Sequence, residues 1–199
     1  MTTRQRRWPS CFTWRPCEPF KEPPLDFDQA YCRLIEAEPS RARKVVRAIS
    51  DEFGESLLTF APMSDGHVDF VCRILSDPIL AKRPGLEWLL MEFYLEREKL
   101  SEPQLERFFA CLDASFGHLS DENVAFAVGD FIARVAPAKR ALTMLSEMTI
   151  KANSRDALAG VYLGLDILRK HRPTNGLPLA EIEAADRVAD ARAAVLKPL

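Results

Sequence analysis

Apolar residues recur three and four positions apart along most of this chain, the spacing that lines one face of an α-helix. Phe27, Tyr31, Leu34 and Ile35 predict a helix over 26–37, and Pro39 breaks it. Ser40 is placed to cap a second helix with Val45, Val46, Ile49 and Phe53 on one face. Gly54 predicts a break in that helix, with Leu57, Leu58 and Phe60 carrying apolar content on to Pro62. Ser64-Asp-Gly66 predicts a turn, and Val68 to Leu75 a helix closed by Asp77-Pro78. Pro84 or Gly85 opens the next helix, which runs to about Lys99 with Leu86, Leu89, Leu90, Phe93 and Tyr94 inward. Ser101-x-x-Gln104 has the form of a capping box, with Pro103 in the first turn. Leu105–Phe116 follows, and Gly117 predicts a left-handed helix end. Ser120-Asp-Glu caps Val124–Val135, Pro137 opens a helix reaching Ile150, and Asn153-Ser154 introduces one that stops before Pro173. Thr174 to Pro178 reads as a linker. Beyond it Leu179, Ile182, Ala185, Val188, Ala189 and Leu196 line one side of an Ala-rich helix.

Three of these segments superpose. Asp121, Phe126, Val128, Gly129, Ile132 and Arg134 fall in step with Asp156, Val161, Leu163, Gly164, Ile167 and Arg169 at an offset of 35. At an offset of 37, Leu89, Met91, Leu95 and Arg97 fall on Phe126, Val128, Ile132 and Arg134. Each segment follows a shorter apolar helix, marked by Val71/Ile74/Leu75, Leu105/Phe108/Phe109/Leu112 and Ala141/Met144/Leu145/Met148. A two-helix period of this length is the signature of a stacked helical repeat, whose units bury their apolar faces only against neighbours. The fold expected is all-α: stacked antiparallel helix pairs forming a short α-solenoid, with an irregular helical bundle as the alternative. The expected organisation is a Pro-rich extended arm over 1–24 and one helical domain over 25–173, with about three helix pairs within 68–172. A linker and capping helix follow over 174–199.

The recurring Asp near the start of the second helix, Asp121 and Asp156, and the recurring Arg134 and Arg169 resemble HEAT-type repeats. The resemblance covers roughly Val68 to Arg172. Two features depart from it: the basic residue comes late in the helix, and the proline kink of the first helix is missing. What the resemblance implies is a curved helical stack with a binding surface.

Composition narrows the class without naming an activity. The chain has 199 residues, 47% hydrophobic and 28% charged, as in an ordinary globular protein. A formal net charge of −2 provides no bulk field for nucleic acid or anionic membrane. Uninterrupted apolar runs are a few residues long, as in Trp88-Leu-Leu-Met91, against the ~20 needed to span a bilayer. Arg4, Arg6 and Arg7 are not followed by an apolar stretch, so a cytoplasmic chain is expected. Cys11, Cys17, Cys32, Cys72 and Cys111 are read as free thiols in a reducing compartment, the last three within helices and mostly buried. Cys11 and Cys17 do not have a zinc spacing.

The search for chemistry yields no catalytic residue. No phosphate loop, nucleophile elbow or H-E-x-x-H motif is present, and no metal or cofactor is expected. His67, His118 and His171 fall at helix ends and are read as surface residues. Asp130 and Asp166 stand within apolar helices, where a buried charge is costly, so local pairing with Arg134 and Arg169 is one reading and recognition the other. Arg41, Arg43, Lys44 and Arg47 make the densest basic cluster. The candidate binding residues are therefore Asp130, Arg134, Asp166, Arg169, Arg43, Lys44 and Arg47. Architecture points to a protein–protein interaction module with a protein partner: an adaptor, chaperone-like protein or scaffold. A toxin-neutralising immunity protein is a narrower form of that reading. A nucleic-acid-acting helical-repeat enzyme using Arg41–Arg47, Trp88 and Asp130 is the alternative that the net charge opposes. A homo-oligomer paired through the C-terminal helix is a third.

Overall fold

The computed structural model describes residues 25–59, 63–119 and 121–196. The arm expected over 1–24 lies outside them. Among the described residues the chain is all-helical, with no strand. The helices are α1 (Phe27–Glu36), α2 (Pro39–Thr59), α3 (Asp65–Ser76), α4 (Leu86–Leu95), α5 (Glu102–Ser115), α6 (Glu122–Val135), α7 (Ala138–Lys151), α8 (Arg155–Lys170), α9 (Arg172–Asn175) and α10 (Leu179–Val195). Single turns of 3-10 helix occupy Leu80–Lys82, Arg97–Lys99 and Phe116–His118.

Helix starts follow side-chain chemistry. Oδ1 of Asp26 accepts from the backbone N–H of Asp28 at 3.1 Å and Gln29 at 3.0 Å. Asp121 does the same for Asn123 and Val124 on α6, and Ser154 accepts from Ala157 on α8. Ser101 and Gln104 close the expected capping box, the Ser101 N–H donating to Gln104 Oε1 at 2.9 Å. Each satisfies donors that a helix terminus leaves without an intrahelical partner. α2 starts at Pro39 itself, since a proline's fixed φ suits the first helical position.

Two glycine expectations are corrected. α2 runs straight through Gly54. The glycine is there for space: a Cβ would sit 2.8 Å from Oε2 of Glu92, which reaches over from α4. Gly117 lies in the Phe116–His118 turn and is not left-handed; the positive-φ glycines are Gly85 at 96° and Gly176 at 71°. The helix expected to reach Lys99 ends at Leu95, and the Arg97–Lys99 turn follows it.

The helices pack in two rows. α1, α3, α5 and α7 are successive neighbours, and so are α2, α4, α6 and α8. α10 packs against both α7 and α8. Between the rows lies one core. Phe27, Phe53 and Phe70 meet at its start, with Phe27 and Phe70 5.3 Å apart between ring centroids. Further on, Phe93 of α4 and Phe131 of α6 enclose Phe108 of α5 at 4.6 Å and 5.0 Å.

The closest packing joins α6 to α8. Ala125 and Gly129 on α6 face Gly160 and Gly164 on α8, four residues apart on each helix. A Cβ at Gly129 would overlap the Gly160 carbonyl, and one at Gly160 would overlap the carbonyl of Ala125. At Gly164 it would meet the Leu145 side chain at 2.7 Å.

Gly160→Ala and Gly129→Ala are therefore expected to destabilise by about 3 kcal/mol or more, since backbone cannot retreat as a side chain can. Gly164→Ala is expected to cost less, because Leu145 can rotate. Gly117→Ala, with open space around it, serves as the neutral control. Urea unfolding of the four variants decides, and near-wild-type stability of Gly160→Ala would contradict the backbone contact.

Candidate interaction surface

α4 is apolar on both sides. Leu86, Leu89, Leu90 and Phe93 are buried and fill the core. Trp88, Met91, Glu92 and Leu95 fall on the opposite side, each within a turn of the next, which is the geometry of one helix face. Met91 is 48% exposed and Leu95 58%. A helix packed on one side needs one apolar stripe; α4 carries a second.

Neighbouring residues shape this stripe. Gly85 has no side chain, and a Cβ there would lie 2.9 Å from the Trp88 ring. The left-handed turn before α4 therefore gives the indole its place. On the adjoining helix, the guanidinium carbons of Arg43 and Arg47 stand 5.2 and 5.1 Å from the Trp88 ring centroid. Such contacts contribute about 0.5–1 kcal/mol at exposed sites. Arg47 also pairs with Asp51 at 3.1 Å. Arg43 and Lys44 have no carboxylate partner among the described residues. Leu58, 72% exposed, lies near the end of α2. Lys99 ties that end to the segment after α4 by donating to the Leu57 carbonyl at 2.6 Å.

The other sequence candidates lie elsewhere and are largely engaged with one another. Arg134 donates to Asp130 at 2.7 Å on α6. On α8, Asp166 accepts from Lys170 at 2.6 Å and lies 3.8 Å from Arg169. Arg169 also pairs with Asp186, fastening α10 to α8. No ion pair or hydrogen bond joins these residues to Arg43, Lys44 or Arg47 among the described residues. Met91 and Leu95 were visible as apolar residues in the sequence, but only the buried side of α4 showed that they are surplus to the core.

His67 corrects the surface expectation. It is 2% exposed in the first turn of α3, with the Phe27 ring 5.0 Å and the Phe53 ring 5.4 Å away. Ser56 Oγ lies 3.0 Å from Nε2 and Ser64 Oγ 2.6 Å from Nδ1. Ser56 and this ring are not a nucleophile and its base. The Ser56 hydroxyl donates to the Phe53 carbonyl at 2.7 Å, so its proton is not offered to the ring. Burial lowers the imidazole pKa below its ordinary value. The cysteines are free, as expected, but less buried than expected: Cys32 is exposed and Cys72 and Cys111 are half-buried.

Among the described residues no group of three or more His, Cys, Asp or Glu side chains is arranged to hold a metal ion. No described helix is long and apolar enough to cross a membrane. The chain matches no family model, and no curated protein or solved structure is significantly similar to it.

The lowered pKa makes stability depend on pH. Below about 6.5 an unfolded imidazole takes up a proton that the folded one resists, so the unfolded state binds more protons. Stability is thus expected to fall as pH drops from 6.5 toward the lower folded-state value. Urea unfolding across pH 5.5–7.5 should show a slope that His67→Gln flattens, an interval above the ordinary carboxylate range of ~4. An unchanged slope in that variant would assign the titration elsewhere.

Proposed function

We propose that this chain is a protein–protein interaction module, a short stack of helix pairs whose working face is the outward side of α4 with the adjoining part of α2. The observation that carries the reading is the second apolar stripe, exposed Met91 and Leu95 with half-buried Trp88, beside two arginines. Trp, Met and Arg are enriched at interface cores, and a few such anchors dominate binding energy. Arg43 and Lys44, without carboxylate partners among the described residues, favour a partner that brings acidic side chains around an apolar anchor.

The two rows of neighbouring helices support the stacked-pair part of the proposal. So does the offset of 35, which places Ala125 on Gly160 and Gly129 on Gly164, the four small residues of the α6–α8 contact. α10 lies across the ends of both rows, the position of a cap. Asp130, Arg134, Asp166 and Arg169 then act as scaffold. The basic residues of α2 are the sequence candidates that remain part of the binding surface.

The test is photo-crosslinking from position 91 in cells of the native host, with position 150 on α7 as the control, followed by affinity measurement with the purified partner. Ile150 is equally apolar and 70% exposed, so it controls for stickiness. Trp88→Ala is expected to weaken binding at least tenfold, about 1.4 kcal/mol, while Ile150→Ala leaves it unchanged. No specific crosslink from position 91, or a Trp88→Ala/Leu95→Ala variant that binds as tightly as wild type, would rule out this face.

A further inference from the structure

A different site lies in the other row. Cys72 on α3 and Cys111 on α5 come together where these helices pack. Sγ of Cys111 lies 3.5 Å from the backbone carbonyl oxygen of Cys72, which places the sulfur beside that residue. The hydroxyls of Ser76 and Ser115 flank the same sulfur at 3.8 and 3.9 Å. Both cysteines are free and partly open to solvent. Asp69 and Arg107 are the charged groups facing Cys72.

We propose that Cys72 and Cys111 form a peroxide-oxidisable dithiol, in which Cys111 is the attacking sulfur, Cys72 resolves it, and the product disulfide ties α3 to α5. Hydrogen bonding from Cys72 brings the Cys111 thiol down to about 7, against burial and with help from Ser76 and Ser115. The same bond and burial push Cys72 up. The roles divide on geometry as well: the Ser76 and Ser115 hydroxyls stand at the Cys111 sulfur, where they can donate to a thiolate, and the thiolate is the nucleophile.

The chemistry balances with hydrogen peroxide as oxidant. The Cys111 thiolate attacks one peroxide oxygen, the O–O bond breaks, and the departing hydroxide takes a proton and leaves as water. Cys111 is then a sulfenic acid. The Cys72 sulfur attacks the Cys111 sulfur, an S–S bond forms, and the displaced hydroxide carries off the Cys72 proton as a second water. Two thiols are oxidised and one peroxide is reduced. Free, unpartnered cysteines follow the same first step but have no resolving sulfur. The consequence here is a covalent link across neighbouring helices of one row, closing a loop of chain that contains α4.

The experiment treats the full, reduced chain with hydrogen peroxide at neutral pH and maps its peptides without reductant. The expected product is lighter by two hydrogens and contains a linked pair of peptides bearing Cys72 and Cys111. In Cys72→Ser, Cys111 is expected to stop at the sulfenic acid and be trapped by dimedone, at least about tenfold faster than the exposed Cys32. In Cys111→Ser, Cys72 is expected to lose its reactivity. A disulfide between another pair of cysteines overturns the proposal, as does a Cys111 no faster than Cys32, or a Cys72 that oxidises at the wild-type rate without Cys111. The wild-type map decides even if a variant fails to fold.

Discussion

The contact between α6 and α8 sets the dimensions of the second half of this protein. Helices that meet through ordinary side chains have axes about 8–10 Å apart. Here the carbonyls of Ala125 and Gly160 occupy the places where Cβ atoms would stand on the facing helix. The backbones themselves are therefore the packing surface. That draws α7 and α10 in against α8, where Leu145 fills the space over Gly164 and Ile182, Ala185 and Ala189 of α10 are buried. Among the described residues of the first half, no glycine meets a facing backbone in this way. There the space between rows is filled by aromatic rings, and Gly54 makes room for a carboxylate rather than for another backbone.

The same economy governs the helix ends. The last carbonyls of a helix have no partner within it, and several are met by side chains from later in the chain. Lys99 donates to the Leu57 carbonyl, Asn153 to Gly117, Arg192 to Ala152, and Asn175 to Leu168. The first three of these bonds link segments 36 or more residues apart without using core volume. They also explain why so many charged residues contribute to architecture. Arg169 fastens α10 through Asp186, and Arg140 holds Glu106 across α5 and α7. Surface pairs of this kind are each worth little, so their effect is to fix register, while burial supplies the stability.

Against that background α4 stands apart. Its buried side does what the other helices do, and its other side carries Met91 and Leu95 exposed beside a half-buried Trp88. Of the residues that recur in the sequence, Asp121 caps α6, Arg134 pairs with Asp130, and Arg169 pairs with Asp166 and with Asp186 of α10. Residues that recur at a fixed offset serve helix packing here. His67 makes the same point for chemistry: three residues into α3, beside a turn, it looked peripheral, yet α1 and α2 close over it with two phenylalanine rings.

By itself the sequence determined the helical class and the placing of most helix starts, because periodicity, caps and prolines act within a few residues of one another. Asp26, Ser101, Asp121 and Ser154 are legible for that reason. The expected pairing of a short first helix with a longer second one is not: α3 has 12 residues and α4 has 10, and α5 and α6 have 14 each. Whether a glycine breaks a helix, as expected at Gly54, or admits a neighbour depends on what comes back from elsewhere in the chain, here Glu92 from 38 positions on. Only the tertiary structure decided which apolar face of α4 is covered, that His67 is enclosed, and that Cys72 meets Cys111. Each of these depends on the relative placement of separate helices, which no local pattern encodes.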